Sequence, residues 1–129
     1  MNPVSTVERA GDLEAEIIGI LVAAGIDDAT ATSDLLKVPA ALANGPVVAV
    51  QPPKLKFIAT MAGYGIEATW ELFIIAGPYA DRLAAWTTMD PIIQALATPL
   101  SIDDAEPATF SHPGMPEYPA YVLSFTEQL

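Results

Sequence analysis

The chain has 129 residues, 52% of them hydrophobic, with no cysteine and with 16 acidic against five basic side chains, a formal net charge of −11. That length suits one domain, residues 1–129, with a real core. The charge excludes a basic nucleic-acid footprint and argues against anionic membranes, and the lack of Cys excludes disulfides, thiolate chemistry and Cys-based zinc sites.

The opening residues, MNPVSTVERAGDLEAE, carry early acids and no basic stretch ahead of an apolar core, so no signal peptide is expected. The longest apolar run, IIGILVAAGI, is far shorter than the roughly 20 residues a membrane helix needs. The expected setting is a cytoplasm, or a particle assembled there. A first helix is predicted from Ser5 and Glu8, which have capping-box spacing. Leu13, Ile17, Ile20, Leu21 and Ala24 mark its buried face, and Gly25 sits where a left-handed cap belongs. Ile18 and Val22 widen the stripe, which fits either a broad core contact or a neighbouring subunit.

Residues 27–45, DDATATSDLLKVPAALANG, predict a short edge strand near Ala29 to Ser33 and then a loop or single helical turn. Asn44-Gly45-Pro46 is a turn: Asn and Gly tolerate positive φ and Pro fixes the exit. Val47 to Gln51 and Lys54 to Thr60 read as strands on either side of Pro52-Pro53, which would break a helix or a continuous central strand. In the second, Leu55, Phe57 and Ala59 share a face opposite Lys54, Lys56 and Ile58. MAGYG reads as a flexible hairpin loop.

The strongest strand pattern is GIEATWELFIIAG, with Ile66, Ala68, Trp70, Leu72 and Ile74 on one face and Glu67, Thr69, Glu71, Phe73 and Ile75 on the other. A second helix is expected to begin at Pro78, with Asp81 at its positive end. Leu83, Trp86, Ile93 and Leu96 would face the core, with a kink or restart near Thr88 to Pro91. The tail reads as a Pro-rich loop and a final strand, in which Tyr121, Leu123 and Phe125 alternate with Ala120, Val122 and Ser124. The expected fold is α+β: a mixed, mostly antiparallel sheet of about four to five strands, with two main helices packed chiefly on one face.

Chemistry is scarce. A Ser-His-Asp site would need His112, the only His, and it lies in a Pro-rich loop. Asp27-Asp28 and Asp103-Asp104 are adjacent pairs whose side chains diverge in extended chain. Neither sits in a calcium-loop pattern, so both read as solvated turns. GYG at 63–65 lacks the third Gly and the following helix of a dinucleotide fingerprint. Trp70 and Trp86 read as core rather than as base-stacking platforms, and the five basic residues are dispersed. No catalytic, cofactor-binding or metal residues are expected, and no cofactor.

The order of segments carries a resemblance over residues 33–129. NGPVVAVQPPKL is followed by a long strand ending FIIAGPYADR, a helix, a Pro-rich loop and YPAYVLSF. This resembles the tail terminator proteins of long-tailed actinobacterial phages. The resemblance implies a non-enzymatic virion protein of the tail–neck region, present in the host cytoplasm before assembly. Its copies would form a ring, commonly hexameric, that caps the tail tube protein and joins it to the head–tail connector or neck protein. DNA would pass through the lumen without specific binding. In such a ring Pro52 and Pro53 would stiffen a sheet corner, or they simply make a tight connection between two core strands. The excess of acids would keep the lumen repellent to phosphate, with Asp27, Asp28, Asp103 and Asp104 as candidates, or it serves solubility alone. Three alternatives stay open: another neck or head–tail adaptor protein, a small-molecule-binding α+β domain, and an obligate oligomeric enzyme with Glu67 and Glu71 at an interface.

Overall fold

The computed structural model describes residues 5–61, 63–77, 81–114 and 116–129. The first helix, α1 (Thr6–Ala23), opens where Ser5 Oγ accepts the Glu8 amide at 3.1 Å. It closes on Gly25 at φ +79°. There the Gly25 amide bonds the Val22 carbonyl and the Ile26 amide reaches the Leu21 carbonyl, which satisfies two of the last orphan acceptors. Leu13, Ile17 and Leu21 are fully buried and Ile20 packs at their margin, as the periodicity predicts, while Ala24 is exposed.

Strand β1 (Thr30–Thr32) runs parallel to β2 (Val47–Val50), so the chain between them must cross over. It does so through a 3-10 turn, Leu35–Lys37, capped by Asp34, and a short helix, α2 (Val38–Leu42). Gly45 closes this crossover at φ +148°, and a side chain there would overlap the Asp28 carbonyl oxygen. Only glycine fits.

Four further strands complete one six-stranded sheet: β3 (Lys54–Thr60), β4 (Gly63–Ile75), β5 (Asp104–Phe110) and β6 (Tyr118–Gln128). Their order is β1-β2-β4-β6-β5, with β3 following β2 along the same side of β4. Every pair except β1–β2 is antiparallel. Val50 pairs with Leu72, the Gln51 amide donates to the Glu71 carbonyl at 3.1 Å, and pairing resumes at Lys54 with Thr69. Pro52 and Pro53 therefore stand opposite the single residue Trp70. They form a bulge in one long interrupted strand, a position that needs no backbone donor.

Helices α1 and α3 (Arg82–Ala97) cover one face of the sheet. The core there joins Val48, Val50, Trp70, Leu72, Ile74, Leu123 and Phe125 to the two helices. On the opposite face α2 covers one end only, where Val38 and Leu42 meet Val47, Ala49, Ile75, Phe110 and Tyr118. Phe73 and Phe110 pack edge to face there, with centroids 5.9 Å apart.

The fold is α+β as expected, with the two main helices on one face, but several details differ. The sheet has six strands rather than four to five. The additional one is β5, expected as turn and Pro-rich loop; Pro107 and two acids are tolerated because it is an edge strand. The strand after the hairpin starts at Gly63, so GYG is strand and not loop. Helix α3 starts at Arg82, with Asp81 as its cap accepting the Leu83 amide at 2.9 Å; Pro78 lies outside the described residues. The helix runs through Pro91 without a restart. Pro91 and Thr87, whose carbonyl loses its i+4 donor, are both exposed, so water can serve the freed acceptor. Its buried face is Ala85, Met89, Ile92 and Leu96; Ile93 is half-buried, and Leu83 and Trp86 point outward. Side-chain size favoured Leu83 and Trp86 for the core, but the spacing 85, 89, 92, 96 is the stripe that meets the sheet.

Candidate assembly surface

Among the described residues, the half of the second sheet face beyond α2 carries no helix. Directly paired residues share a face, so the registers place Lys54 and Lys56 of β3 beside Glu67, Thr69 and Glu71 of β4 on this open side. Next come Ser124, Thr126 and Gln128 of β6, then Asp104 and Glu106 of β5. Thr69 and Thr126 hydroxyls lie 3.2 Å apart, and Gln128 Nε2 donates to Glu67 Oε2 at 3.2 Å. The patch holds four carboxylates against two ammonium groups. Its bases lie along one margin and two of its acids along the other.

Among the described residues both margins are open: strand β5 pairs only with β6, and β3 only with β4, because β1 is short and lies beside β2. The last β4–β6 pair is Glu67 with Gln128. Past it, β3 and the start of β4 continue as a two-stranded arm. A ribbon of that kind is marginal by itself in water. On the arm, Phe57 is 63% exposed and Met61 is exposed; on α3, Leu83 and Trp86 are 64% and 52% exposed. A groove of about 550 Å³ opens between α3 and the β5 margin, with Arg82, Trp86, Met89, Pro107, Thr109 and Tyr121 among its walls.

The arm's base is held by a polar cluster that sequence reading missed. Arg9 Nε and Nη2 donate to the two oxygens of Glu127 at 2.8 and 3.0 Å, and the indole N–H of fully buried Trp70 donates to Glu127 Oε1 at 2.9 Å. Arg9 also contacts Glu16 at 3.4 Å. The Arg9 guanidinium holds the Glu127 carboxyl below its ordinary range, against partial burial that pushes it up. The contact spans 118 residues, so no local pattern announces it.

The residues weighed for chemistry are scattered. His112 sits in the β5–β6 loop with Nδ1 3.1 Å from the Pro113 carbonyl. Asp27 and Asp28 are exposed just before β1, on one margin of the sheet; Asp103 and Asp104 are exposed at the start of β5, on the other. Glu67 and Glu71 do share the open face. Trp70 is core, as expected, and Trp86 is not. Among the described residues, no three His, Asp or Glu side chains come together to hold a metal ion, and no helix is long and apolar enough to cross a membrane. No protein-family model, no curated protein and no solved structure matches this chain.

Proposed function

We propose that the chain is a virion structural subunit, a tail terminator whose copies close into a hexameric ring. The ring would cap the tail tube protein and join it to the head–tail connector or neck protein. The observation that carries this reading is a single sheet with both margins unpaired and a two-stranded arm extending past the body. A sheet open at two opposite sides is suited to head-to-tail contact, which makes a ring when the rotation closes. The exposed Phe57, Leu83 and Trp86 provide apolar surface for such contacts. The segment order of residues 33–129, which resembles that of tail terminators, supports the tail terminator reading, with another neck or head–tail adaptor as its nearest rival.

With the open sheet face toward the axis, Glu67, Glu71, Asp104 and Glu106 line the lumen with Lys54 and Lys56 beside them, and DNA passes without binding because a surface with an excess of carboxylates gains no net counterion release from it. Asp27 and Asp28 belong to the β1 margin, off the open face, in this arrangement. The role is structural, without cofactor or catalysis, in the tail–neck region after assembly in the host cytoplasm. Incubation with growing tail tubes tests it. The protein should form rings at tube ends in electron micrographs and arrest elongation; tubes of unchanged length with bare ends would contradict it.

The groove beside α3 favours a second reading, a small-molecule-binding domain, because its volume lies within the range of ligand sites. A saturable thermal shift with a small apolar ligand, abolished by Trp86→Ala, would support that reading.

A further inference from the structure

The two open margins of the sheet are complementary to each other. Strands β3 and β5 have seven residues each. On the open face β3 carries Lys54 and Lys56, and β5 carries Asp104 and Glu106. All four are exposed, and none takes part in an ion pair among the described residues. On the helix side, β3 carries Phe57, largely in solvent, while β5 borders the groove with Pro107 and Thr109. The β3 margin therefore offers two ammonium groups and an aromatic knob. The β5 margin offers two carboxylates and a groove walled by Trp86 and Tyr121.

We propose that the β3 margin of one copy docks along the β5 margin of a second copy of this chain. Lys54 and Lys56 then face Glu106 and Asp104 across the junction. This rests on the ring reading and assigns the surfaces that make the ring. The two margins lie on opposite sides of one sheet, so the contact is head-to-tail and repeats from copy to copy. Lys54 and Lys56 are level with Thr69 and Glu67, and Asp104 and Glu106 with Glu71 and Phe73, so the two pairs are offset by four residues along β4. A stagger of that size is accommodated by tilted strands in a closed sheet. The charges that guard each margin against indiscriminate pairing select the other margin, since only a basic strand is tolerated beside Asp104 and Glu106. Pro107 reinforces this guard by removing one donor from the β5 edge.

The test is a charge exchange read by sedimentation velocity. Lys54→Glu with Lys56→Glu makes one variant; Asp104→Lys with Glu106→Lys makes the other. Each alone places like charges across the junction and should need at least about tenfold more protein to assemble than the unmodified chain. Mixed in equal amounts, they should assemble again, because each variant's β3 margin then meets an oppositely charged β5 margin. Circular dichroism of each variant identifies a loss of fold. If the unmodified chain assembles and the reversed variants assemble equally well, or the mixture gains nothing, these surfaces are wrong while the ring stands. An unmodified chain that stays monomeric, alone and with tube protein, overturns both.

Discussion

Glu127 satisfies three donors at once, two from Arg9 and one from the buried indole of Trp70. Glu127→Ala strands the indole N–H and leaves the guanidinium to solvent, so it should cost about 1–3 kcal/mol, measured as a lower urea midpoint. Glu127→Gln keeps an acceptor for the indole and should cost less. The folded carboxyl titrates below its unfolded value of about 4.3. The contribution of Glu127 is therefore complete above that value and is lost as pH falls through the folded value. The stability difference between the native chain and Glu127→Gln should be constant near neutrality and shrink from about pH 5 downward; a difference that grows on acidification would contradict the assigned pairing. Two glycines give opposite expectations. Gly45→Ala drives a methyl into the Asp28 carbonyl and should destabilise by about 1–3 kcal/mol. Gly19→Ala, on the outer face of α1 with open space around it, should stabilise by up to about 1 kcal/mol. Thermal melts of the two variants should move in opposite directions.

At the scale of elements, the Pro52-Pro53 bulge sets the direction of the arm. It adds one residue to the β2–β3 line, and bulges bend and twist the strand that carries them. Deleting Pro52 leaves Lys54 opposite Thr69 and the body intact, but re-aims the arm. The shortened chain should fold with nearly unchanged stability and lose assembly; a loss of fold would instead make the bulge part of the core. Much of this layer was legible in the sequence. The Ser5 cap, the Gly25 terminus, β2, β3 and the alternation of β4 and β6 follow from local spacing and turn chemistry; β4 and β6 alternate because one face of each packs against the helices. Strand β5 was illegible because an edge strand tolerates acids and Pro107. The true face of α3 was hidden because its largest apolar residue, Trp86, and Leu83 are outside the core while small Ala85 is within it. The open face was legible residue by residue, as Lys54, Lys56, Glu67 and Glu71. Its meeting with Asp104 and Glu106 was not, since that depends on a strand the pattern did not show.

At the scale of the whole molecule, charge and association are linked. In the proposed ring, the surplus of acids would keep a chain with exposed Phe57, Leu83 and Trp86 dispersed until copies meet in the right orientation. Once a ring exists, the same surplus acts on DNA. Glu67→Lys with Glu71→Lys should leave fold and assembly largely unchanged, because Glu71 is exposed and half-buried Glu67 holds only one surface hydrogen bond, from Gln128. It should create DNA binding by the ring that weakens steeply with salt. A titration at low salt checks this, and tight binding by the unmodified ring would remove the conduit role while leaving the ring. The central claim is that this chain associates with itself in a closed, head-to-tail manner. Native mass spectrometry of the purified protein, alone and with tail tube protein, measures that directly. A single closed species, six copies in the tail terminator reading, with interfaces burying more than about 1,000 Å² each, is the predicted result; a monomer under both conditions at high concentration would contradict it.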